Sequence, residues 1–336
     1  MYLIFALVAF SILIIIHELG HFTLAKLNGI YVEEFAIGMG PKLFGFKGKE
    51  TEYNLRILPF GGFVRMLGEE GGAIKDNRAL NAKKPLQKIS VIAAGATMNY
   101  ILALVIFAAI ALNFGFAKPV ISKVALNSPA SEAGLLDGDK LLKVDNSTIN
   151  TTNDLRLGIV LSKGEAITLE IERNGEKLIK EVIPVVDETG NTIIGITYES
   201  IENPTFGEGI SQGFKETLTM ISQTFKSLKM MVSGEANFKT DVGGPVTIVK
   251  MSSQAAKAGI WTLMNFTAFM SIQLAVFNLL PFPALDGGLI LIQALEMITR
   301  KKIPEKFIGV VNSVGFALLM MLMVVVTLKD IIFPVL

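Results

Sequence analysis

Three stretches of the chain are long, apolar and free of charged residues: 89–117, 258–285 and 307–328. Each is at least as long as the roughly 20 residues with which a helix crosses the hydrocarbon core of a bilayer. A fourth apolar stretch runs from Met1 to Ile16 and keeps its helical character to about Leu24. The sequence therefore predicts a polytopic α-helical membrane protein with four transmembrane helices.

The first stretch could instead be a cleaved signal peptide. A signal peptide begins with a basic segment and ends at a small-residue cleavage site, and this stretch shows neither. Composition favours the membrane interpretation, because hydrophobic residues make up 51% of the 336 residues and charged residues only 18%. The net charge of +1 gives no reason to expect a nucleic acid partner.

The spans divide the chain into two membrane halves, 1–117 and 258–336, with an insert between them. The insert is predicted to comprise a β-rich domain at 118–202 and amphipathic linker helices at 203–257. The predicted elements of the two halves are, in chain order, a first span at about 2–25, a β-hairpin at about 51–67, a second span at about 89–117, a third span at about 258–285 and a fourth span at about 307–328.

Strand patterns and turn residues fill the first part of the insert. Residues 167–173 and 177–186 alternate like strands around Asn174-Gly175, which is a strong two-residue hairpin signal. The segment SPASEAGLLDGDKLLKVDN resembles the corresponding stretch of PDZ domains of the bacterial protease type. The other predicted elements are strands at 119–124 and 140–144 and helices at 129–133 and 152–161.

The segment from Phe206 to Val232 is predicted to be a partly amphipathic helix, with Phe214, Leu218 and Phe225 at helical spacing. A helix of this kind packs on the PDZ-like domain or lies at the membrane surface. The sequence leaves both alternatives open.

Charge in the connections predicts the orientation. Basic residues outnumber acidic ones in the first connection, 26–88, and again in the third, where Arg300, Lys301, Lys302 and Lys306 cluster. Connections rich in Lys and Arg tend to remain in the cytoplasm. We therefore expect a multi-pass protein of the plasma membrane, with the insert and both termini outside and the first and third connections inside.

The motif HELGH at the end of the first span carries the clearest chemical signal. His17 and His21 are four residues apart, so on a helix they share one face. Two imidazoles at this spacing can bind one zinc ion, and Glu18 between them can act on a water molecule at the metal. Ionisable groups inside a span cost at least about 2–3 kcal/mol and are functional by default. A helix end that reaches the headgroups would account for Lys26 but not for the only two histidines of the chain.

A catalytic zinc usually takes three protein ligands, and the chain has no cysteine and no further histidine. The third ligand must then be a carboxylate, and we predict Asp286 because it follows the third span at the same cytoplasmic depth as HELGH. Glu296 and Asp76 are poorer candidates. The alternative for Asp286 is a helix-end residue beside the turn Gly287-Gly288.

This arrangement predicts peptide-bond hydrolysis inside the membrane. Zinc held by His17, His21 and Asp286 would activate water, with Glu18 as general base and then general acid. The location predicts that the substrate is a transmembrane segment of another protein.

HELGH, NLLPFPALDGG and the PDZ-like insert together resemble the site-2 protease family of intramembrane zinc metalloproteases, and most of all its bacterial regulator-of-sigma-E-protease type. The resemblance covers nearly the whole chain and implies the same zinc ligands and the same role for Glu18. It also implies regulated intramembrane proteolysis of a membrane-tethered regulator, such as an anti-sigma factor, or of a remnant signal peptide. Asn99, in the GxxxN motif that begins at Gly95, and Asn278 are candidates for binding substrate backbone. Their alternative is hydrogen bonding between helices.

The stretch 51–67 resembles the membrane-associated β-hairpin of that family, with a turn around Pro59-Phe60-Gly61-Gly62. An open strand edge near the metal could pair with an extended substrate, which makes Gly61 and Gly62 candidate substrate-binding residues. The alternative is a cytoplasmic hairpin packed on the protein surface.

Two other functions compete with the protease. The protein could be a membrane-anchored scaffold whose PDZ domain binds partners while the metal site is inactive. It could also sense or transport a metal, although a permeation route should show more polar residues within the membrane.

Overall fold

The computed structural model describes residues 2–69 and 76–334 of the chain. The helices are α1 (Tyr2–Leu27), α2 (Pro85–Phe114), α3 (Pro129–Glu132), α4 (Thr152–Leu161), α5 (Phe206–Ser233), α6 (Pro245–Ala258), α7 (Ile260–Asn278), α8 (Asp286–Thr299) and α9 (Glu305–Ile332). The strands are β1 (Val32–Lys47), β2 (Glu52–Met66), β3 (Phe116–Val124), β4 (Lys140–Val144), β5 (Ser147–Thr148), β6 (Ile167–Arg173), β7 (Glu176–Val182), β8 (Val185–Val186), β9 (Thr192–Ile193) and β10 (Ile196–Ile201).

Four of the described helices are long and apolar enough to cross a membrane: α1, α2, α7 and α9. This confirms the predicted fold class of four membrane helices with an inserted β-rich PDZ domain. The contacts divide the chain into two compact units. One contains Met1–Ala103 and Ser227–Leu336, and the other contains Leu104–Lys226.

The third span is shorter than predicted, and this changes the place of Asp286. Helix α7 ends at Asn278, not at Leu285, and Asp286 is the first residue of α8. Pro281 and Pro283 explain the break, because proline removes a helical hydrogen bond and disfavours helical backbone in the residue before it. The second span likewise ends at Phe114, where Gly115 adopts φ +73° and β3 begins at Phe116.

The predicted hairpin at 51–67 is the second half of a larger one. Strand β1 was not predicted; it pairs antiparallel with β2 across a turn at residues 48–51. The turn predicted at Pro59–Gly62 is not a hairpin turn. There β2 changes partners instead, since Leu58 pairs with Met39 and Gly62 with Ile37. The segment 34–37 of β1 therefore lies between residues 52–55 and 62–65 of β2.

The unit Leu104–Lys226 contains the PDZ domain. Its main sheet has the strand order β10-β3-β4-β6-β7, with β5 paired to β4. Strand β6 shows the expected alternation, with Ile167, Leu169 and Ile171 buried in the core. The turn Asn174-Gly175 has φ +52° and +82°, as its hairpin requires.

Helix α5 places its small and polar residues inside and its large apolar residues outside. Gly213 contacts the backbone of Leu104 and Ala108 on α2, at a distance that leaves no room for a Cβ. The large apolar side chains Phe206 and Phe214 of the same helix are exposed. The predicted amphipathic helix is therefore present, and its apolar face is not the face that packs on the protein.

Candidate active site

Helix α1 brings the HELGH motif against α2. A Cβ at Gly20 would lie 2.3 Å from the carbonyl oxygen of Ala94, so the two helices meet here at a distance that only glycine allows. Because His17 and His21 lie on the same side of α1, they face α2 at this crossing. His17 is buried as a result.

Gly95 of α2 forms the surface against which both imidazoles rest. A Cβ on this residue would lie 2.4 Å from His21 Nε2 and 2.7 Å from His17 Nε2. Any side chain there would occupy the positions of the two ring nitrogens. The absence of a side chain at Gly95 is therefore part of the site.

Asp286 reaches the imidazoles from the start of α8. The preceding loop folds back over the helix end so closely that a Cβ at Gly287 would lie 2.2 Å from the carbonyl oxygen of Leu280. A Cβ at Gly288 would lie 2.3 Å from that of Phe282. The two glycines thus belong to α8, and they let the loop cover the helix end that carries Asp286.

The three potential ligand atoms form a nearly equilateral triangle. The Nε2 atoms of His17 and His21 are 3.2 Å apart, and Asp286 Oδ2 lies 3.4 Å from the first and 3.5 Å from the second. Ligand bonds of about 2.0–2.1 Å to a tetrahedral zinc give ligand–ligand distances of about 3.3 Å. Asp286 Oδ2 is buried and has no hydrogen-bond partner among the described residues. The donor set therefore fits zinc in chemistry and in spacing.

The far nitrogens of both rings have partners that determine their protonation. His21 Nδ1 lies 2.9 Å from the carbonyl oxygen of Val91, which can only accept, so Nδ1 carries the proton and Nε2 keeps its lone pair. His17 Nδ1 lies 3.3 Å from the side-chain amide of the fully buried Asn99. If His17 Nε2 is the ligand, its Nδ1 carries a proton, and the Asn99 carboxamide, whose nitrogen faces Nδ1, presents Oδ1 as the acceptor when it is turned by 180°. Such partners fix the orientation of metal-binding imidazoles.

The two predicted asparagines lie on opposite sides of His17. Asn99 is behind the ring, and its backbone oxygen accepts a hydrogen bond from Ser271 at 2.9 Å. Asn278, the last residue of α7, places its amide nitrogen 3.3 Å from His17 Nε2, on the ligand side. Asn278 is therefore the asparagine that faces the reaction site.

Glu18 lies beside the last segment of β2. The backbone N–H of Val64 donates to its carboxylate, and a Cβ at Gly62 would lie 3.1 Å from Glu18 Cγ. Gly61 differs, since its nearest neighbours are side-chain atoms of Met39 and its φ is +85°. Of the two predicted glycines, Gly62 contacts the site. Gly61 does not, and its contribution is the positive φ of the backbone just before Gly62.

A cavity of about 640 Å³ opens from this cluster, which is ample space for water and a segment of polypeptide. Its polar lining beyond the cluster comes from the connection between β2 and α2, from α2, from α8 and the connection that follows it, and from α9: Glu69, Asn81, Lys88, Gln293, Glu296, Lys302 and Asn312. Of the rejected third ligands, Glu296 accepts from the backbone of Ile303 and Asp76 pairs with Arg78. Across residues 2–69 and 76–334, the single group that could hold a metal is His17, His21 and Asp286.

Sequence reasoning did not identify Val91 and Gly20. Val91 acts through its carbonyl oxygen, which every residue has, so its side chain gives no signal. The spacing nevertheless contains one, because Val91, Gly95 and Asn99 recur every four residues and so share one face of α2. All three contact the imidazoles.

Comparison with known proteins identifies the family to which the chain is similar. The sequence profile of peptidase family M50 matches residues 5–322. The protein CPE1693 of Clostridium perfringens is 62% identical over 336 residues, which is 100% of both chains. The zinc metalloprotease RasP of Geobacillus kaustophilus is 33% identical, over 97% of this chain and 96% of RasP. The PDZ domain of an SdrC-like protein from Listeria monocytogenes aligns with 26% of this chain and 87% of its own, at 17% identity and a TM-score of 0.22.

Proposed function

The chain belongs to peptidase family M50, and from this premise we propose that it is a zinc metalloendopeptidase that cleaves peptide bonds within transmembrane segments. The observation that carries the proposal is the triangle of His17 Nε2, His21 Nε2 and Asp286 Oδ2, with both histidines on α1, a helix long and apolar enough to cross a membrane. These three atoms would hold the zinc. When bound, zinc supplies a Lewis acid that polarises the scissile carbonyl and lowers the pKa of water.

Glu18 performs the proton transfers. Its carboxylate accepts a proton from the attacking water and returns it to the leaving amine, as general base and then general acid. The hydrogen bond from the Val64 N–H holds the carboxylate in place. A scaffold with an inactive metal site would need no carboxylate at this position, so Glu18 favours the enzyme.

The substrate is proposed to bind as an extended chain. A helix shields its own peptide bonds, so the cleaved segment must unwind before water can attack. The segment at Gly61 and Gly62 lies next to Glu18, where its edge can pair with the unwound backbone. Asn278 can donate to a substrate carbonyl from the ligand side of His17. Asn99 contacts His17 from behind and is proposed to orient that ring rather than to touch substrate.

The biological reaction is proposed to be regulated intramembrane proteolysis. The substrate would be a membrane-tethered regulator, such as an anti-sigma factor, or a remnant signal peptide, embedded in the same lipid bilayer. The basic first and third connections support an orientation with the catalytic side toward the cytoplasm and the PDZ domain outside. The PDZ domain would admit substrates that have already been trimmed.

The test compares the wild-type protein with Glu18→Gln, both purified in detergent. We expect both to contain zinc and only the wild type to cleave a model transmembrane substrate, because the amide keeps the shape of Glu18 but cannot take up the proton. Glu199→Gln, an exposed change on β10, is the matched control and should cleave normally. Cleavage by Glu18→Gln at the wild-type rate would refute the mechanism.

A further inference from the structure

The loop that precedes Asp286 follows directly after α7, the third candidate membrane span. In the proposed membrane setting, the backbone N–H groups of this loop need acceptors from the protein. Local turns serve Phe282, which donates to Leu280 at 2.7 Å, and Leu285, which donates to Phe282 at 3.2 Å. Ala284 differs, because its N–H donates to a side chain on another helix, Asn312 Oδ1 of α9, at 3.2 Å.

Ala284 also has an unusual backbone. Its φ is +72°, in the left-handed region that glycine adopts freely and that alanine disfavours because of its Cβ. A residue persists in this conformation only when its surroundings impose it. Because Ala284 is two residues before Asp286, its conformation sets the direction from which the chain enters α8.

Helix α9 touches the loop at a second point on the same face. A Cβ at Gly315 would lie 2.5 Å from Pro283 Cβ and 2.6 Å from its carbonyl oxygen. Gly315 and Asn312 are three residues apart, so they are neighbours on one side of α9. The glycine allows the close approach, and the asparagine makes the hydrogen bond.

We infer that Asn312 is a positioning residue for Asp286: its amide oxygen holds Ala284 in the left-handed conformation that aims the carboxylate at His17 and His21. The inference rests on the proposed zinc function. A purely structural reading also exists, since asparagines join membrane helices through hydrogen bonds. The two interpretations predict different effects of the substitution Ala284→Gly on zinc affinity.

The experiment measures zinc affinity of the full-length protein in detergent, by competition with a chelator. Loss of an outer partner of a metal ligand weakens metal binding by about 10–100-fold, so we expect Asn312→Leu to lose about tenfold. Asn312→Asp keeps an oxygen acceptor and should retain most of the affinity. Ser313→Leu changes the exposed neighbour on α9 and should bind zinc as the wild type does.

The decisive variant combines Asn312→Leu with Ala284→Gly. Glycine adopts positive φ without support, so the double variant should recover most of the zinc affinity that Asn312→Leu loses. A structural role predicts the opposite pattern, in which Asn312→Leu lowers the melting temperature of the zinc-free protein and glycine restores nothing.

The outcomes separate the inference from the function on which it rests. Wild-type zinc affinity in Asn312→Leu, or a double variant no better than Asn312→Leu, would overturn the role of Asn312 alone. A wild-type protein that binds no zinc would overturn the proposed function and this inference together.

Discussion

Replacing Gly95 by alanine is the smallest change that should destroy the metal site. The new methyl carbon would lie 2.4 Å from His21 Nε2 and 2.7 Å from His17 Nε2. Non-bonded heavy atoms prefer about 3.5 Å or more, so the imidazoles and α2 must separate by about 1 Å. Metal–ligand distances in working sites stay within about 0.2 Å of their ideal values. The required movement is therefore about five times what the site tolerates.

The expected loss of catalytic activity follows from this displacement. A misplacement of about 1 Å lowers catalysis by about 100-fold, which corresponds to about 2.7 kcal/mol of transition-state stabilisation. The substitution should by itself stabilise the α2 helix, because alanine is about 1 kcal/mol more favourable than glycine inside a helix. We therefore expect Gly95→Ala to lose zinc and activity without a loss of helix content.

The assay is zinc content and cleavage rate in detergent, with circular dichroism as the measure of helix content. Gly309→Ala on α9 is the matched control, since no atom of the described chain lies within 4 Å of a Cβ built there. It is also a glycine-to-alanine change in a membrane helix and should keep its zinc. Wild-type zinc content and cleavage in Gly95→Ala would show that the imidazoles do not rest on Gly95.

Two predictions concern stability outside the site. Asp330 accepts hydrogen bonds from the backbone N–H groups of Gly244 at 3.0 Å and Thr247 at 2.9 Å, and it pairs with the buried Lys329 ammonium at 3.0 Å. Asp330→Asn removes the carboxylate partner of that ammonium and should lower the free energy of unfolding in thermal melts by about 3 kcal/mol, the loss typical of a broken buried ion pair. In the PDZ domain, burial raises the pKa of Asp139, but the hydrogen bonds from Arg173 and the Leu136 N–H, together with the charges of Arg173 and Lys180, outweigh burial, and the net pKa is below its usual value. The carboxylate therefore stabilises the domain above its unfolded pKa, and that contribution is lost as pH falls through the folded pKa. Melts of wild type and Asp139→Asn should differ at pH 7, and the difference should shrink as pH falls below the unfolded pKa, whereas an equal difference at every pH would contradict this.

The chemistry of the site could be predicted because zinc demands particular side chains. With no cysteine and two histidines, the donor inventory itself reduced the third ligand to a carboxylate. The element that carries Asp286 was predicted wrongly. Pro281 and Pro283 were visible, but the loop is as apolar as the helix before it, and hydropathy alone does not distinguish an apolar loop from the end of a span.

Strand β1 was missed for a different reason. Its sequence VEEFAIGMGPKLFGFK contains glycines and a proline, which are signals of turns rather than strands. Glycines in this strand meet the neighbouring backbone, and a Cβ at Gly38 would lie 2.4 Å from the carbonyl oxygen of Leu58. The pairing that keeps these residues extended is with residues 52–66, and a search for periodicity in one segment cannot detect it.

The close contacts made by glycines and backbone groups show which residues of this site are informative to mutate. The ligands are placed by groups without distinctive side chains: Gly20 sets the crossing of α1 and α2, Gly95 supports both rings, and Gly287 admits the loop over α8. The Val91 carbonyl fixes the proton of one ring. A histidine at metal spacing reveals its role from sequence, whereas a glycine reveals its role only when a Cβ is built on it and a collision appears. Substitutions of the proposed ligands would test whether zinc binds. Substitutions of the glycines would test whether the helices cross at the distance that allows zinc to bind.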